Sequence, residues 1–188
     1  MLAERIKGAF SFRRGVYADV EHDPAFTPTA WGLVAGASFL NQLGANIGAG
    51  ILGYILGALI GTAAAVGGFA LAAAVISWVG RGAFGAAVTF HELVRTLGLA
   101  YVWNAIGVLA VLGAVSPVLG AIVAPIVFAA GVAALVAWFF AAKEALDLPW
   151  GKTIGAVLLG WLALIAALIA GAILISLFVT GLGAIGGL

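Results

Sequence analysis

The sequence predicts an all-α fold, a polytopic transmembrane helical bundle of five spans with a cytoplasmic N-terminus. Three observations predict this fold class. Hydrophobic residues make up 65% of the 188-residue chain and charged residues only 8%, whereas a soluble domain carries roughly 25% charged residues. The charges occur in separate islands with long uncharged stretches between them. All eight Lys and Arg residues fall on one side when five crossings are drawn through those stretches.

The uncharged stretches set the number of spans. About 57 residues from Pro24 to Gly80 and about 47 from Thr96 to Ala142 are each long enough for two helices of about 20 residues. The last stretch, about 36 residues from Thr153 onward, suits one helix because its glycine-rich end is a poor helix former. We therefore predict a cytoplasmic amphipathic segment over residues 1–23 and a transmembrane domain over residues 24–188. The predicted spans are 29–46, 51–79, 91–113, 117–142 and 152–180.

Turn and cap residues place the helix ends. The stretch 44–50 is rich in glycine and asparagine, which predicts the turn between spans one and two. Thr89 and Glu92 have the spacing of a capping box and predict the start of span three. Ser116 followed by Pro117 predicts the start of span four, because serine caps helix N-termini and proline fits the first turn.

The basic residues set the orientation of the bundle. With five spans, the N-terminus and the loops after spans two and four share one side, and every Lys and Arg lies there. The positive-inside rule makes that side cytoplasmic. Within the first 23 residues, apolar residues recur at helical spacing among basic ones. This pattern suits a helix lying in the cytoplasmic interface or a plain positively charged anchor, and both interpretations stay open.

Two sets of residues are candidates for contacts inside the bundle. Small residues spaced four apart let helices approach closely; we expect packing within the chain, with an oligomer or partner seam as the alternative. Polar side chains on spans one and three form a polar ridge that we expect to hydrogen-bond to neighbouring helices, because unpaired amides are costly in hydrocarbon. A polar path through the bundle is the alternative. The candidate packing residues are Gly53, Gly57, Gly61, Ala163, Ala167 and Gly171. The candidate ridge residues are Ser38, Asn41, Gln42, Asn46 and Asn104.

The sequence offers little for catalysis or for metal and cofactor binding. It has no cysteine, and its two histidines, His22 and His91, are far apart. A cation site among the acidic residues beside His22 is possible by composition, but a solvated turn is favoured there. We expect no enzyme activity, no cofactor and no metal site, because no nucleophile stands beside a base. The net charge of +1 argues against a nucleic-acid partner.

Five segments occur along the chain in a familiar order: Glu4–Phe10, Asp23–Pro24, Thr29–Trp31, Phe84–Gly98 with its E-L-x-R-x-x-G-like run, and Lys143–Asp147. Together they resemble prokaryotic members of the Yip1 domain family. The resemblance implies five spans and a cytoplasmic N-terminus; eukaryotic relatives act in vesicle trafficking and bind membrane proteins and small GTPases. The family often has a proline soon after the glycine of the third helix, whereas Tyr101–Asn104 follows here without one.

These features lead to one main functional expectation and two alternatives. The main expectation is a non-enzymatic membrane interaction or scaffold protein, whose partners are membrane lipids and other membrane proteins or a second copy of itself. The alternatives are a small transporter or channel with a polar path through spans one and three, and an accessory transmembrane subunit of a respiratory or photosynthetic complex. The expected location is a bacterial cytoplasmic membrane, with bacterial origin inferred from the Ala, Gly, Leu and Val bias.

Overall fold

The computed structural model describes residues 2–46, 50–162 and 165–166. Within these ranges every regular element is a helix and no strand is present, so the all-α prediction is confirmed for this part of the chain. The helices are α1 (Leu2–Phe10), α2 (Val16–Glu21), a 3-10 turn (Pro24–Phe26), α3 (Thr27–Ala45), α4 (Gly50–Phe84), α5 (Phe90–Val115), α6 (Pro117–Leu146) and α7 (residues 150–162).

Three of these helices are long and apolar enough to cross a membrane. They are α4, α5 and α6, with mean hydropathies of 2.1, 1.8 and 2.5 in their most apolar windows. The protein is therefore of the membrane class. The predicted first span corresponds to α3, which has 19 residues and carries most of the polar ridge. The predicted fifth span begins with α7 and continues outside the described residues.

Local signals set the helix ends as expected. The capping box at the start of α5 is present: the Glu92 N–H donates to Thr89 Oγ1 at 3.2 Å, and the Thr89 N–H donates to the Glu92 carboxylate at 2.6 Å. At the start of α6, Ser116 Oγ accepts a hydrogen bond from the Val118 N–H at 3.3 Å, and Pro117 occupies the first turn. Residues 47–49 of the predicted first turn lie outside the described residues.

Helix α5 changes type near its middle. It is α-helical over Phe90–Ala100, a 3-10 helix over Tyr101–Val111, and α-helical again over Leu112–Val115. Most 3-10 segments are no longer than three or four residues, so this one is unusual. It begins without a proline, and Asn104 Nδ2 donates to the Tyr101 carbonyl three residues earlier, at 3.1 Å. The 3-10 half of α5 lies beside α3.

The core lies at one end of the bundle. This charged end consists of α1, α2, the last turns of α4 and α6, the first turns of α5 and the start of α7. Its largest fully buried side chains come from several helices: Val16, Val20, Ile76, Leu93, Leu97, Leu146 and Val157. The opposite or far end, around Asn46 and Ser116, has few buried side chains. Among residues 51–68 of α4, only Ala58 is buried.

Candidate functional site

The N-terminal segment is folded into the charged end. It forms two helices, because the chain turns between them with positive φ angles at Phe12 (50°) and Gly15 (76°). The apolar face of α2, formed by Val16, Tyr17 and Val20, is buried in the same core as α5. The segment is therefore two helices and not one, and the apolar face of α2 packs on protein because the turn folds α2 back onto the bundle. A position of this segment in the cytoplasmic interface stays a prediction.

Arg95 of α5 joins the N-terminal helices to the bundle. Its side chain is buried, with the residue only 6% exposed. The guanidinium Nε donates to the carbonyls of Val20 at 3.1 Å and Glu21 at 2.9 Å, and Nη2 also donates to Glu21. Nη1 donates to Thr27 Oγ1 at 3.3 Å, at the first residue of α3. One side chain thus connects α2, α3 and α5.

The partners of Arg95 explain how a buried charge is tolerated. Within the described residues, no carboxylate oxygen lies within 4 Å of its guanidinium. Its acceptors are the last carbonyls of α2, which lack partners inside their own helix and carry partial negative charge. The guanidinium presents its donors in a fixed fork, so these bonds also define how α2 is oriented. We call this arrangement the Arg95 junction.

Carboxyl groups surround the junction at longer range. Burial raises the pKa of Glu21, the nearby Glu92 and Glu144 carboxylates raise it further, and the charges of His22 and Arg95 oppose this. Glu21 therefore binds its proton more tightly than an exposed glutamate. The junction lies among several acidic groups, although its direct bonds are to backbone.

Arg5 joins the two N-terminal helices at their outer surface. Its guanidinium lies 3.0 Å from the Asp19 carboxylate and 2.7 Å from that of Asp23, and 4.9 Å from the centre of the Phe26 ring. The hydrogen bond from Arg5 lowers the pKa of Asp19. Asp19 and Asp23 thus face an arginine, which links α1 to α2 and to the segment after α2.

The ridge residues Gln42 and Asn46 face α4, where two predicted packing glycines receive them. A Cβ atom placed on Gly61 would lie 2.5 Å from the Gln42 side-chain amide, and one placed on Gly57 would collide with Asn46 Oδ1. These two glycines therefore serve packing within the chain. Gly53, on the same helix, is partly buried.

The remaining ridge residues lie toward α5 and α6. A Cβ atom on Gly107 would lie 2.6 Å from Asn41 Oδ1. Asn41 and Asn104 line a small cavity of about 100 Å³ together with Trp103. Ser38 is buried, and its hydroxyl has no hydrogen-bond partner among the described residues. The ridge is thus divided between two interfaces, with Gln42 and Asn46 on one and Asn41 on the other.

In the part of the chain that the structure describes, two of the ridge amides hydrogen-bond within their own helices. Asn46 Nδ2 donates to the carbonyl of Gln42 at 2.8 Å and to its side-chain oxygen at 3.1 Å. Asn104 bonds to its own helix in the same way. The nearest acceptors for these amides are carbonyls in the preceding turn of the same helix, whereas the facing glycines have no side chain that could accept a hydrogen bond. Ala163, Ala167 and Gly171, the predicted packing residues of span five, lie outside the described residues.

Sequence reasoning missed the residues that make the closest contacts. It used Arg95 only for topology and as part of the Phe84–Gly98 run, although a lone cation between Leu93 and Ala100 in an apolar run is a signal of a buried role. It also missed Gly44 and Gly107, whose backbones meet so closely that a Cβ atom on Gly44 would overlap the Gly107 carbonyl oxygen.

Comparison with known proteins adds no relative, since no protein-family model, curated protein or solved structure matches this chain. The resemblance to the Yip1 family therefore stays a prediction.

Proposed function

We propose that the protein crosses the membrane five times and that its charged end faces the cytoplasm. The first span is α3, whose 19 residues rise about 28 Å at 1.5 Å per residue, close to the roughly 30 Å of a hydrocarbon core. Helices α4, α5 and α6 form the next three spans, and α7 begins the fifth. The basic residues of the charged end support this orientation through the positive-inside rule.

Within that topology, we propose a role as a membrane interaction protein that packs against a transmembrane helix of a partner. The observation that carries this proposal is an apolar groove of about 260 Å³ on the outer face of α3. Gly32 and Gly36 line it, and a Cβ atom on either would meet nothing within 4 Å. Small residues four apart let a second helix approach the backbone closely.

The two groove glycines contrast with three other glycines of α3 and α4. Gly44, Gly57 and Gly61 are each covered by another part of this chain. Gly32 and Gly36 are exposed and have the same spacing of four. The remaining wall of the groove comes from α1 and α5, through Ile6 and Val102. The N-terminal helices, held by the Arg95 junction, therefore help to shape the surface on which a partner helix would pack.

A photo-crosslinking experiment in native membranes tests this proposal. A photoreactive amino acid at Leu40, an exposed residue of the groove, should give an adduct with a specific membrane protein. Filling the groove with Gly32→Leu and Gly36→Leu should remove that adduct. The same photoreactive group at Phe128, exposed on α6, is the control and should react with lipid alone.

The proposal fails if the group at Leu40 also reacts with lipid alone. It fails equally if a protein adduct forms there and survives both glycine substitutions, because the contact would then lie elsewhere.

A further inference from the structure

A second cavity, of about 290 Å³, lies at the charged end. The turn between α1 and α2 forms one side, with Arg13 and Arg14, and the last turns of α6 form the other, with Phe140 and Lys143. Trp150, at the start of α7, completes the wall. The cavity thus lies where the N-terminal helices meet the ends of two predicted spans.

Unpaired positive charge collects at this cavity. Arg13, Arg14 and Lys143 all line it, and none has a carboxylate oxygen within 4 Å in the described part of the chain. One carboxylate, Glu144, shares the lining. The other N-terminal cations differ: Arg5 binds Asp19 and Asp23, and Lys7 binds Glu4. In the cavity, Arg13 and Arg14 are suited to bidentate hydrogen bonds with phosphate oxygens, and Lys143 adds a point charge.

A buried hydroxyl at the same cavity lacks a partner. Tyr17 is only 6% exposed and lines the cavity, and its Oη has no hydrogen-bond partner among the described residues. A buried hydroxyl is normally hydrogen-bonded. Burial raises the pKa of Tyr17, which keeps the hydroxyl protonated and able to donate. An oxygen acceptor from a ligand would satisfy it.

The apolar part of the wall indicates what carries the acceptor. Phe140 and Trp150 pack edge to face with ring centres 5.6 Å apart, and both are partly exposed. Tryptophan favours the membrane–water interface. A ligand with an anionic head and an apolar body would match basic and aromatic walls together, whereas a free phosphate ion would use only the basic ones.

We propose that this cavity binds the phosphate headgroup of an anionic phospholipid, with Arg13, Arg14 and Lys143 facing the phosphate and the Tyr17 hydroxyl donating to one of its oxygens. The upper acyl chain then lies along Phe140 and Trp150. The inference rests on the cytoplasmic membrane placement proposed above and deepens it by naming a lipid partner. It does not depend on the helix-binding groove at Gly32 and Gly36.

Native mass spectrometry of the full chain in mild detergent tests the site, with phosphatidylglycerol or phosphatidylcholine added in equal amounts. We expect phosphatidylglycerol to be retained about tenfold more tightly. Arg13→Gln with Arg14→Gln should remove about that factor, because each charge-assisted bond contributes substantially to binding. Tyr17→Phe should weaken retention severalfold while keeping the ring in the core. Glu144→Gln should strengthen retention.

The control is Arg81→Gln with Lys152→Gln, which removes two cations of the charged end that do not line the cavity. It should leave retention unchanged. Equal retention of the two lipids, or equal loss in the control, would overturn the proposal.

Glycerol phosphate and inorganic phosphate separate a lipid from a soluble phosphate. If either displaces the lipid at millimolar concentration, the cavity is a site for soluble phosphate and the lipid assignment is wrong. If the protein shows no lipid selectivity but the photoreactive group at Leu40 still gives its protein adduct, only the lipid site is wrong. If the charged end is found outside the cytoplasm, both the proposed topology and the lipid site are wrong.

Discussion

The charged end and the far end of the bundle are held together in different ways, and α5 passes through both. In its first half, every residue from Leu93 to Ala100 is buried. In its 3-10 half, Tyr101–Val111, only Val102 is buried. The charged end has a core of large side chains that includes Ile76, Leu97 and Leu146. The far end has few such side chains.

The far end depends on close backbone contacts instead. Gly44 lies against Gly107, and Gln42 lies over Gly61. Lipid tails are as apolar as leucine, so burial of leucine there brings little stability, and close packing of small residues must hold the helices. Where a protein meets water, burial of large apolar side chains is strongly favourable. The packing of each end thus suits the surroundings that we propose for it, water at the charged end and lipid at the far end.

The largest expected effect comes from removing the Arg95 junction. Arg95→Met should lower the free energy of unfolding by about 3 kcal/mol, because the Glu21 carbonyl loses its charged donor and the Val20 carbonyl keeps only the Asp23 N–H at 3.3 Å. It should also release α2. The chain has no cysteine, so Val16→Cys, fully buried in the native protein, reports release through maleimide labelling.

Labelling of Val16→Cys should be slow with Arg95 present and fast with Arg95→Met. The matched control is Arg81→Met, which removes an exposed cation of the same end. Equal labelling in both backgrounds would mean that the junction does not hold α2.

The second effect tests the far end. Gly44→Ala should lower the thermal midpoint in detergent and the free energy of unfolding by about 1–3 kcal/mol, because the added Cβ atom meets the backbone of Gly107, which cannot rotate away. Gly36→Ala on the same helix is the control, since nothing lies within 4 Å of its Cβ position. It should be neutral or slightly stabilising, because alanine favours helix. Equal effects at the two positions would contradict a far end held by backbone contact.

The third effect concerns the surface of the charged end. Arg5 lowers the pKa of Asp19 in the folded protein, so their pair stabilises the fold above the ordinary aspartate pKa of about 3.9 and loses this contribution as the pH falls through the lower folded value. Arg5→Gln should therefore cost at most about 1 kcal/mol at pH 7 and less once the pH falls far enough to protonate Asp19. Lys7→Gln, which breaks an exposed pair with Glu4, should cost less. An Arg5→Gln loss of stability that does not shrink as the pH falls would show that the pair with Asp19 is not its cause.

The smallest effect tests the acidic groups around the junction. Because burial raises the pKa of Glu21, ionised Glu21 destabilises the fold, and stability should fall as the pH rises from the ordinary glutamate value through the folded one. Glu21→Gln should raise the thermal midpoint slightly at pH 8 and leave it unchanged below about pH 4. Glu4→Gln, an exposed residue, is the control. A lower thermal midpoint for Glu21→Gln at pH 8 would contradict the claim that ionised Glu21 destabilises the fold.

The helices and their caps could be predicted from the sequence because they depend on local signals. The uncharged stretches predicted the long helices, and Thr89 with Ser116 predicted two of their starts, since a cap forms with residues only two or three positions away. The ends of α4 and α6 lie a few residues beyond the predicted ones, at Phe84 and Leu146.

The contacts that define the candidate site could not be predicted in the same way. Arg95 bonds to carbonyls about 75 residues earlier in the chain, and no spacing rule links those positions. The glycine pattern included Gly57 and Gly61, which lie against Asn46 and Gln42, but it could not show that Gly107 would receive Asn41, because that depends on how α3 crosses the 3-10 half of α5. The fold of α2 onto the bundle depends on the left-handed turn at Phe12 and Gly15, which the amphipathic pattern did not reveal.

The central claim is that the charged end faces the cytoplasm and the far end faces the opposite side of the membrane. The side from which single cysteines can be labelled tests this claim most directly. Ala83→Cys lies at the end of α4 in the charged end, and Val115→Cys lies at the far end, where Val115 is 73% exposed. A membrane-impermeant maleimide should label Val115→Cys in intact cells and Ala83→Cys only in inside-out vesicles. Labelling of both from the same side would contradict the account.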